Sequence, residues 1–436
     1  MGKDTLSMNI YELINQDISC SCGRTHRCDI EALRIGRNVL EQLPELVQKQ
    51  THILLVADEN TYPLCGDRVS TLLGNKLESV CVFHTKDLLI PNEASIAEIE
   101  SHLSTETDFV LGIGSGVIND LCKYVAFIHD LYSGIIATAP SMDGFASSGA
   151  AMILSGMKVT VTTRAPILIL GDVDILKRAP IDMIRAGYGD IIGKYSALCD
   201  WKLSHLVNGE YLCPFVYDLV LQKTNEIRAL TGALTRREAG AIQALMESLV
   251  LIGACLTLLS TTRPGSGSEH HLSHYFEITG LIEDKPYFLH GTDVGYGTIV
   301  TARLREEIRR VSTPTFYHIS SEKRKSCYQK IYKDYWQEVW RIQEEAGKYE
   351  QCMDDVYISH WAEVCSILSE CPTEQEICNM LIEIGFDLSA FEKMYGKEKI
   401  DRGIWFGKDL KDRYSVLCLY DELFLNDEKV KQIQGF

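Results

Sequence analysis

The first part of the chain alternates short runs of β-branched and aromatic residues with stretches whose apolar residues recur at helical spacing. The short runs lie at 52–57 (HILLVA), 79–83 (SVCVF) and 109–113 (FVLGI), and helical spacing occupies 67–77 and 96–103. Strand, helix and strand in this order favour a parallel sheet with right-handed crossovers. Further strands are predicted at 134–139, 158–162 and 167–170.

After about Asp174 the pattern changes to apolar residues at spacings of three and four. This periodicity covers 181–206, 217–230 and 235–259 and predicts three long helices. A wide aromatic stripe from Tyr328 to Ile342 predicts one more helix face packed on a core.

The change of pattern predicts two domains. We expect an α/β NAD(P)-binding domain with a parallel sheet over residues 1–174, and an all-α metal- and substrate-binding domain over residues 175–436. The chain has 436 residues, of which 46% are apolar, so both domains can bury a core.

Composition excludes several partners. The formal net charge is −17 and no basic block is present, so we expect no nucleic-acid partner and no binding to an anionic membrane surface. The most apolar stretch, 249–259, is about half the length needed to cross a bilayer, so no membrane insertion is expected. The N-terminal segment lacks the order of a signal peptide, and the 15 cysteines are scattered, so reduced thiols and a cytoplasmic location are expected.

A glycine-rich turn follows one of the predicted strands. In FVLGIGSGVINDLCKYVAF the glycines are Gly112, Gly114 and Gly116, and a helix is predicted to start near Val117. Glycines let a backbone approach a pyrophosphate, and the N–H groups of a helix start bind anions. A plain tight turn is the alternative. The third glycine comes one residue earlier than in the common Gly-x-Gly-x-x-Gly fingerprint, which indicates a different family of nucleotide folds.

Two further loops offer cofactor contacts. Asp58 follows the first strand and could accept a ribose hydroxyl, or could be a solvated loop acid. The loop 137–148 (ATAPSMDGFASS) surrounds one carboxylate, Asp143, with small and hydroxylic residues. Thr138, Ser141 and Ser147 could donate hydrogen bonds to a phosphate or to a nicotinamide amide, or could belong to a plain surface loop.

Four residues of the helical part suggest a metal site. Asp190 lies near the start of a predicted helix, and His290 precedes a glycine-containing turn. His270 and His274 are one helical turn apart and therefore share a face. Asp190, His270 and His290 could bind one divalent ion, for which Zn²⁺ is the first choice and Ni²⁺ and Fe²⁺ the alternatives. Buried, hydrogen-bonded histidines are the competing interpretation.

The remaining candidates are weaker. The segment Cys20–Cys28 (CSCGRTHRC) resembles a zinc knuckle but lacks a second cysteine pair at zinc-ribbon spacing, so no metal is expected there. Lys194, one helical turn after Asp190, is the first candidate to bind a substrate phosphate, and Arg263 is the second. A solvated helix lysine is the alternative for Lys194.

Five motifs, in order, resemble those of the glycerol-1-phosphate dehydrogenase family. They are GSGVINDLCK, ATAPSMDGFAS, GYGDIIGK, SGSEHHLSH and LHGTDVGYG, and the match as a whole spans roughly residues 50 to 310. That family belongs to a wider group that contains dehydroquinate synthases, glycerol dehydrogenases and iron-containing alcohol dehydrogenases. The resemblance implies a dehydroquinate synthase-like fold and an oxidoreductase that interconverts sn-glycerol 1-phosphate and dihydroxyacetone phosphate with NAD or NADP. It also implies a role in phospholipid metabolism and a homo-oligomer.

The resemblance also implies roles for single residues. Asp143 is similar to a substrate-binding carboxylate and His274 to a substrate-contacting histidine of the family. The metal ligands would be Asp190, His270 and His290. The cofactor contacts would be Gly116, Val117, Ile118, Asn119, Asp120, Thr138, Ser141 and Ser147, to which the glycine-rich turn itself adds Gly114.

Alternative functions remain at this point. A glycerol or other polyol dehydrogenase would use the same ion and cofactor without a phosphate on the substrate. A dehydroquinate synthase is disfavoured because that branch has a glutamate where this chain has Asp190. A non-catalytic nucleotide-binding protein that kept the fold is the alternative from another class.

Overall fold

The computed structural model describes residues 9–84, 89–349 and 352–435. The chain forms two compact units. The first comprises the chain up to Ile191 together with Asp218–Thr262, and the second comprises Ile192–Tyr217 and the chain from Arg263 onward. The last strand ends at Asp172, close to the predicted change of pattern, but the helices of 218–262 belong to the unit that contains the sheet.

A six-stranded parallel sheet forms the centre of the first unit, with the strand order β3-β10-β7-β6-β4-β5. Two antiparallel hairpins, β1–β2 and β8–β9, lie outside it. The strands are β1 (Asp17–Ser19), β2 (Thr25–Arg27), β3 (Ala32–Gly36), β4 (Ile53–Asp58), β5 (Leu77–Phe83), β6 (Phe109–Gly114), β7 (Tyr132–Ala137), β8 (Gly149–Leu154), β9 (Met157–Thr162) and β10 (Leu168–Asp172).

The central strands read as continuous apolar runs because both faces of the sheet are covered. All residues of β6, and those of β4 before Asp58, are buried. The carboxyl ends of β4, β6, β7 and β10 lie at one edge of the sheet, since all of these strands are parallel. In parallel α/β sheets this edge is where ligands bind.

The helices follow the predicted periodicity in most places. They are α1 (Leu43–Leu46), α2 (Tyr62–Leu73), α3 (Glu93–Glu100), α4 (Gly116–Ile128), α5 (Val173–Leu176), α6 (Ile181–Asn208), α7 (Pro214–Ala229), α8 (Thr231–Thr235), α9 (Ala239–Leu259), α10 (Ser268–Glu283), α11 (His290–Arg309), α12 (Ser321–Tyr332), α13 (Trp336–Glu345), α14 (Asp354–Ser359), α15 (Trp361–Ser369), α16 (Glu374–Ile384), α17 (Leu388–Phe406), α18 (Val416–Phe424) and α19 (Asp427–Gly435).

Two features depart from the predictions. The aromatic stripe is not one helix, because α12 ends before a 3-10 turn at Lys333–Tyr335 and α13 begins at Trp336. Lys333 has a φ of 49°, in the left-handed region, which ends a right-handed helix. The predicted strand at 158–162 belongs to the β8–β9 hairpin and not to the parallel sheet.

Helix α9 is the most apolar long helix. Within the part of the chain that the structure describes, it is the one helix long and apolar enough to cross a membrane, and 78% of its apolar window is buried in the fold. Burial on all sides is what a helix without a polar face requires. In this protein α9 is a core helix of the first unit.

Candidate functional site

The glycine-rich turn connects β6 to α4 at the ligand-binding edge of the sheet. β6 ends at Gly114, and α4 begins two residues later at Gly116. A Cβ on Gly114 would lie 2.5 Å from the side chain of Ile118, so glycine is required there by the close packing of the first turn of α4. The predicted turn is therefore present, and the N–H groups at the start of α4 are of the kind that can bind an anion.

The side chains of α4 hold the neighbouring loop. The Asn119 amide donates to the Gly144 carbonyl at 3.2 Å. The buried Lys123 ammonium donates to the carbonyls of Gly144, Ser147 and Gly149 and forms an ion pair of 2.8 Å with Asp120. Burial raises the pKa of Asp120, an effect that Lys123 opposes. In the predicted cofactor stretch from Gly116 to Asp120, Asn119 and Asp120 therefore contribute to loop support.

Asp58 caps the turn that follows β4. Its Oδ1 accepts hydrogen bonds from the backbone N–H groups of Asn60 (2.8 Å) and Thr61 (2.9 Å). Its position at the carboxyl end of β4 is the predicted one. The ribose role stays a prediction.

The loop 137–148 passes very close to two helices. A Cβ on Gly187 of α6 would lie 1.9 Å from the Pro140 carbonyl oxygen, and one on Gly253 of α9 would lie 2.4 Å from the Asp143 carbonyl oxygen. The Thr257 hydroxyl donates to the Ala146 carbonyl at 2.9 Å. Glycine at both helical positions is thus a condition for this loop conformation.

The predicted hydroxylic residues of this loop are buried. The Thr138 N–H donates to the Gly114 carbonyl, which joins the loop to the glycine-rich turn at 3.0 Å. The Ser141 N–H donates to the Ala139 carbonyl, and the Ser147 Oγ accepts from the Gly149 N–H. These contacts order the backbone of the loop around Asp143, while contacts to a cofactor stay a prediction.

Asp143 and Asp190 are linked directly. Both are buried, with 9% and 0% of their surface exposed, and the Asp143 N–H donates to Asp190 Oδ2 at 2.9 Å. The loop that carries one predicted substrate ligand therefore orients the carboxylate of a predicted metal ligand.

Three histidines of the second unit form a cluster at the start of two helices. His270 and His274 lie on α10, and His290 is the first residue of α11. The centroid of the His270 ring lies 5.0 Å from that of His290 and 6.3 Å from that of His274, and the His274 and His290 centroids are 5.6 Å apart. The predicted shared face of His270 and His274 is confirmed.

Both predicted histidine ligands have a hydrogen-bond partner at Nδ1. His270 Nδ1 lies 2.6 Å from Glu269 Oε1, and His290 Nδ1 lies 3.2 Å from Ser273 Oγ. Burial raises the pKa of Glu269 to about 7, while the Gly267 N–H and the charge of Lys194 act in the opposite direction. A partner at Nδ1 fixes the ring and directs Nε2 outward as the ligand atom, the arrangement common in metal sites.

Positive charge surrounds the start of α10. The ammonium of Lys194, which is fully buried, donates to the Gly265 carbonyl at 2.7 Å. Arg413 donates to the Ser266 carbonyl at 2.8 Å, and the Lys411 ammonium lies 3.5 Å from Ser266 Oγ. Burial, and then repulsion from Arg263, lowers the pKa of Arg413 to about 10. These cations could attract an anionic substrate.

Arg263, the second predicted phosphate ligand, has a structural role. Its guanidinium binds both carboxylate oxygens of Glu210, at 2.7 and 2.5 Å, and also the Tyr414 carbonyl and the Ser204 hydroxyl. The Glu210 carboxylate offsets its charge, so Arg263 is a poor candidate for a phosphate. Lys411 and Arg413 were missed because they lie about 145 residues from Ser266 in sequence.

Sequence reasoning also missed Glu269 and Lys123. Glu269 is next to His270 in the SEHH motif, and this adjacency was the available signal. Nothing in the sequence near Lys123 indicates that its ammonium binds the loop after Asp143, because the three carbonyls lie 21 to 26 residues further along the chain.

Known proteins resemble this chain both in sequence and in fold. A family model described as iron-containing alcohol dehydrogenase matches residues 34–180. A glycerol-1-phosphate dehydrogenase [NAD(P)+] of Halalkalibacterium halodurans is 34% identical over 68% of this chain and 76% of its own length. A glycerol-1-phosphate dehydrogenase [NAD(P)+] of Geobacillus stearothermophilus is 26% identical over 96% of this chain and 99% of its own length. Among solved structures, a mutant of an archaeal halo-thermophilic Red Sea brine pool alcohol dehydrogenase has a TM-score of 0.59. Its sequence is 14% identical, and the match covers 96% of this chain and 99% of that chain.

The parallel sheet and the helical part together have the fold of a solved alcohol dehydrogenase, and residues 34–180 are similar to the class of iron-containing alcohol dehydrogenases. The predicted fold class is confirmed. Within that class, identity of 34% over three quarters of a relative shows that the chain belongs to the glycerol-1-phosphate dehydrogenase family.

Proposed function

We propose that this protein catalyses the NAD(P)-linked, metal-dependent interconversion of sn-glycerol 1-phosphate and dihydroxyacetone phosphate. The observation that carries the proposal is the cluster of three imidazole rings in which His270 and His290 each have an Nδ1 partner. Relatives named glycerol-1-phosphate dehydrogenase [NAD(P)+] support the choice of reaction.

The ligands for a divalent ion are proposed to be Asp190, His270 and His290. One carboxylate and two imidazoles suit Zn²⁺, and also Ni²⁺ or Fe²⁺. Helix α6 supports this set, since at Gly193 it approaches both α10 and α11: a Cβ there would lie 2.6 Å from Val294 and 3.2 Å from Glu269. What a divalent ion supplies in such a site is a lower pKa for an alcohol and polarisation of a carbonyl.

The nicotinamide cofactor is proposed to bind at the carboxyl edge of the sheet, with its pyrophosphate at the start of α4. The Gly114 to Gly116 turn and the buried Thr138 support this position. What a nicotinamide supplies there is a hydride donor or acceptor. NAD and NADP remain equal expectations.

The chain's own residues would position the substrate and move its proton. Asp143 and His274 are proposed to orient the substrate hydroxyls, and His274 to exchange the proton of the reacting oxygen with solvent. Lys194 is proposed to attract the phosphate, with Lys411 and Arg413 adding positive charge around Ser266. A phosphate needs such local cations because the whole chain has a net charge of −17.

The location and assembly of the protein remain predictions. We propose a cytoplasmic homo-oligomer that acts on a small phosphorylated molecule, without a nucleic-acid partner and without membrane insertion. The burial of α9 inside the first unit supports the last point.

One assay separates the proposed function from its alternatives. Purified protein is given dihydroxyacetone phosphate or dihydroxyacetone with NADH or NADPH, before and after chelation, and the product is resolved chirally. The expected result is metal-dependent oxidation of the cofactor by the phosphorylated substrate, with sn-glycerol 1-phosphate as the product. Turnover of dihydroxyacetone at an equal rate would instead indicate a polyol dehydrogenase.

A further inference from the structure

The hairpin β1–β2 carries a cluster of soft metal ligands outside the site described above. Its turn contains Cys20 and Cys22, and His26 lies opposite Ile18 in the strand pair. The Gly23 N–H donates to the Cys20 carbonyl at 3.1 Å, and Gly23 has a φ of 85° that favours glycine. The turn therefore places both thiols near the histidine.

One pair of ligand atoms in this cluster is spaced as two ligands of a tetrahedral ion would be. Cys22 Sγ lies 3.3 Å from His26 Nε2, and the Cys22 N–H lies 3.5 Å from Cys20 Sγ. Sulfur and nitrogen ligands of tetrahedral zinc, at about 2.3 and 2.0 Å from the metal, lie about 3.5 Å from each other. Backbone N–H groups that point at sulfur stabilise a thiolate.

The histidine tautomer suits a ligand. His26 has only 2% of its surface exposed, and its Nδ1 lies 3.2 Å from the Leu258 carbonyl oxygen at the end of α9. A carbonyl only accepts hydrogen bonds, so Nδ1 carries the proton and Nε2 presents its lone pair to Cys22. A backbone carbonyl at the second ring nitrogen is the usual support of a histidine that binds zinc.

We propose that Cys20, Cys22 and His26 bind a structural zinc ion that is separate from the catalytic metal. Thiolates and an imidazole are the ligands of structural zinc sites, whereas a carboxylate and two imidazoles leave a position for substrate. Binding would release the thiol protons to solvent.

The proposed ion would stabilise the contacts that hold the loop 137–148 around Asp143. His26 connects the hairpin to Leu258, and the adjacent Thr257 hydroxyl accepts from the Ser148 N–H and donates to the Ala146 carbonyl. Loss of the ion should therefore loosen the end of α9 and then the loop, while leaving the His270 cluster chemically intact.

The experiment measures bound metal, because activity alone does not separate the two sites. Wild-type protein, Cys20→Ser, Cys22→Ser and the control Cys28→Ser, which removes a buried thiol of the same segment, are dialysed and analysed for zinc by mass spectrometry. The expected result is one equivalent fewer in Cys20→Ser and Cys22→Ser than in wild type and Cys28→Ser. Equal zinc content in Cys22→Ser and wild type would overturn the proposal.

Cobalt substitution gives a second measurement that tolerates misfolding of the serine variants. Wild-type protein loaded with Co²⁺ should show the intense near-ultraviolet absorption of thiolate-to-cobalt charge transfer, and so should His270→Ala. Cys22→His should retain the ion with a weaker band. The proposal would be overturned if wild-type protein lacked the band, or if its mass were lower by the two hydrogen atoms lost in a Cys20–Cys22 disulfide. Either result is independent of whether dihydroxyacetone phosphate is a substrate.

Discussion

The backbone N–H of Asp143 donates a hydrogen bond of 2.9 Å to Oδ2 of Asp190. The carboxylate of Asp190 is fully buried, so this hydrogen bond fixes its orientation in a part of the protein where water cannot compete. The loop that carries the proposed substrate ligand and the carboxylate proposed to bind the ion are therefore coupled. A change that displaces the loop should affect both substrate binding and metal binding.

The contact of the loop with α9 can be tested by adding one methyl group. In Gly253→Ala the new Cβ would lie 2.4 Å from the Asp143 carbonyl oxygen, so the loop must move. A displacement of about 1 Å should lower kcat/KM about 10- to 100-fold. Gly240→Ala is the control, because Gly240 lies on the same helix and a Cβ there would meet no atom within 4 Å. Equal activity of the two variants would show that the loop position is unimportant.

Lys123 should contribute strongly to stability. Lys123→Met removes the ion-pair partner of Asp120 and the ammonium that donates to the carbonyls of Ser147 and Gly149, which should cost roughly 3 kcal/mol of unfolding free energy. The matched control is Lys177→Met, whose partly exposed ion pair with Asp174 should cost less than about 1 kcal/mol. Chemical denaturation measures both values. Similar losses in the two variants would contradict the proposed role of Lys123.

Glu269 should act on the metal through His270. Glu269→Gln replaces the carboxylate at His270 Nδ1 by a weaker acceptor, and such changes typically lower metal affinity about 10- to 100-fold. Competition with a chelator of known affinity measures this effect, and Glu277→Gln on the same helix is the control. If both variants keep the wild-type metal affinity, Glu269 does not support a metal ligand.

The raised pKa of Glu422 predicts that the stability of the protein depends on pH. Burial raises its pKa to about 7, and the neighbouring Asp421 contributes. The folded state then binds more protons than the unfolded state between pH 4.5 and 7, so stability falls as pH rises through this window.

Glu422→Gln removes that loss because it cannot ionise. The variant should be more stable than wild type by up to about 3 kcal/mol at pH 8, with little difference near pH 4.5. Thermal or chemical unfolding across this range measures the difference. A constant difference between the two proteins over the whole range would contradict the assignment.

Much of the fold could be predicted from the sequence. β4 and β6 are continuous apolar runs because they are central strands of a parallel sheet, and α6 and α9 have clear helical periodicity. β3 was missed because only one side of this edge strand pairs with the sheet, and its residues (ALRIG) are not a continuous apolar run. The break at Lys333 depends on backbone conformation that apolar spacing does not indicate.

The candidate site was predictable to the level of residue types. The spacing of His270 and His274 predicts the shared face that is observed, and the glycine-rich turn lies where the pattern indicated. Partners such as Ser273 for His290, or Arg413 at the Ser266 carbonyl, follow from the packing of distant segments. No local pattern encodes such contacts.

The most direct test of the proposed mechanism is to measure bound metal and turnover together in Asp190→Ala and His270→Ala. Both variants should fold, lose the catalytic ion on dialysis against a chelator and show no measurable reduction of dihydroxyacetone phosphate. Full activity of either variant after chelation would contradict the assignment of these residues as metal ligands.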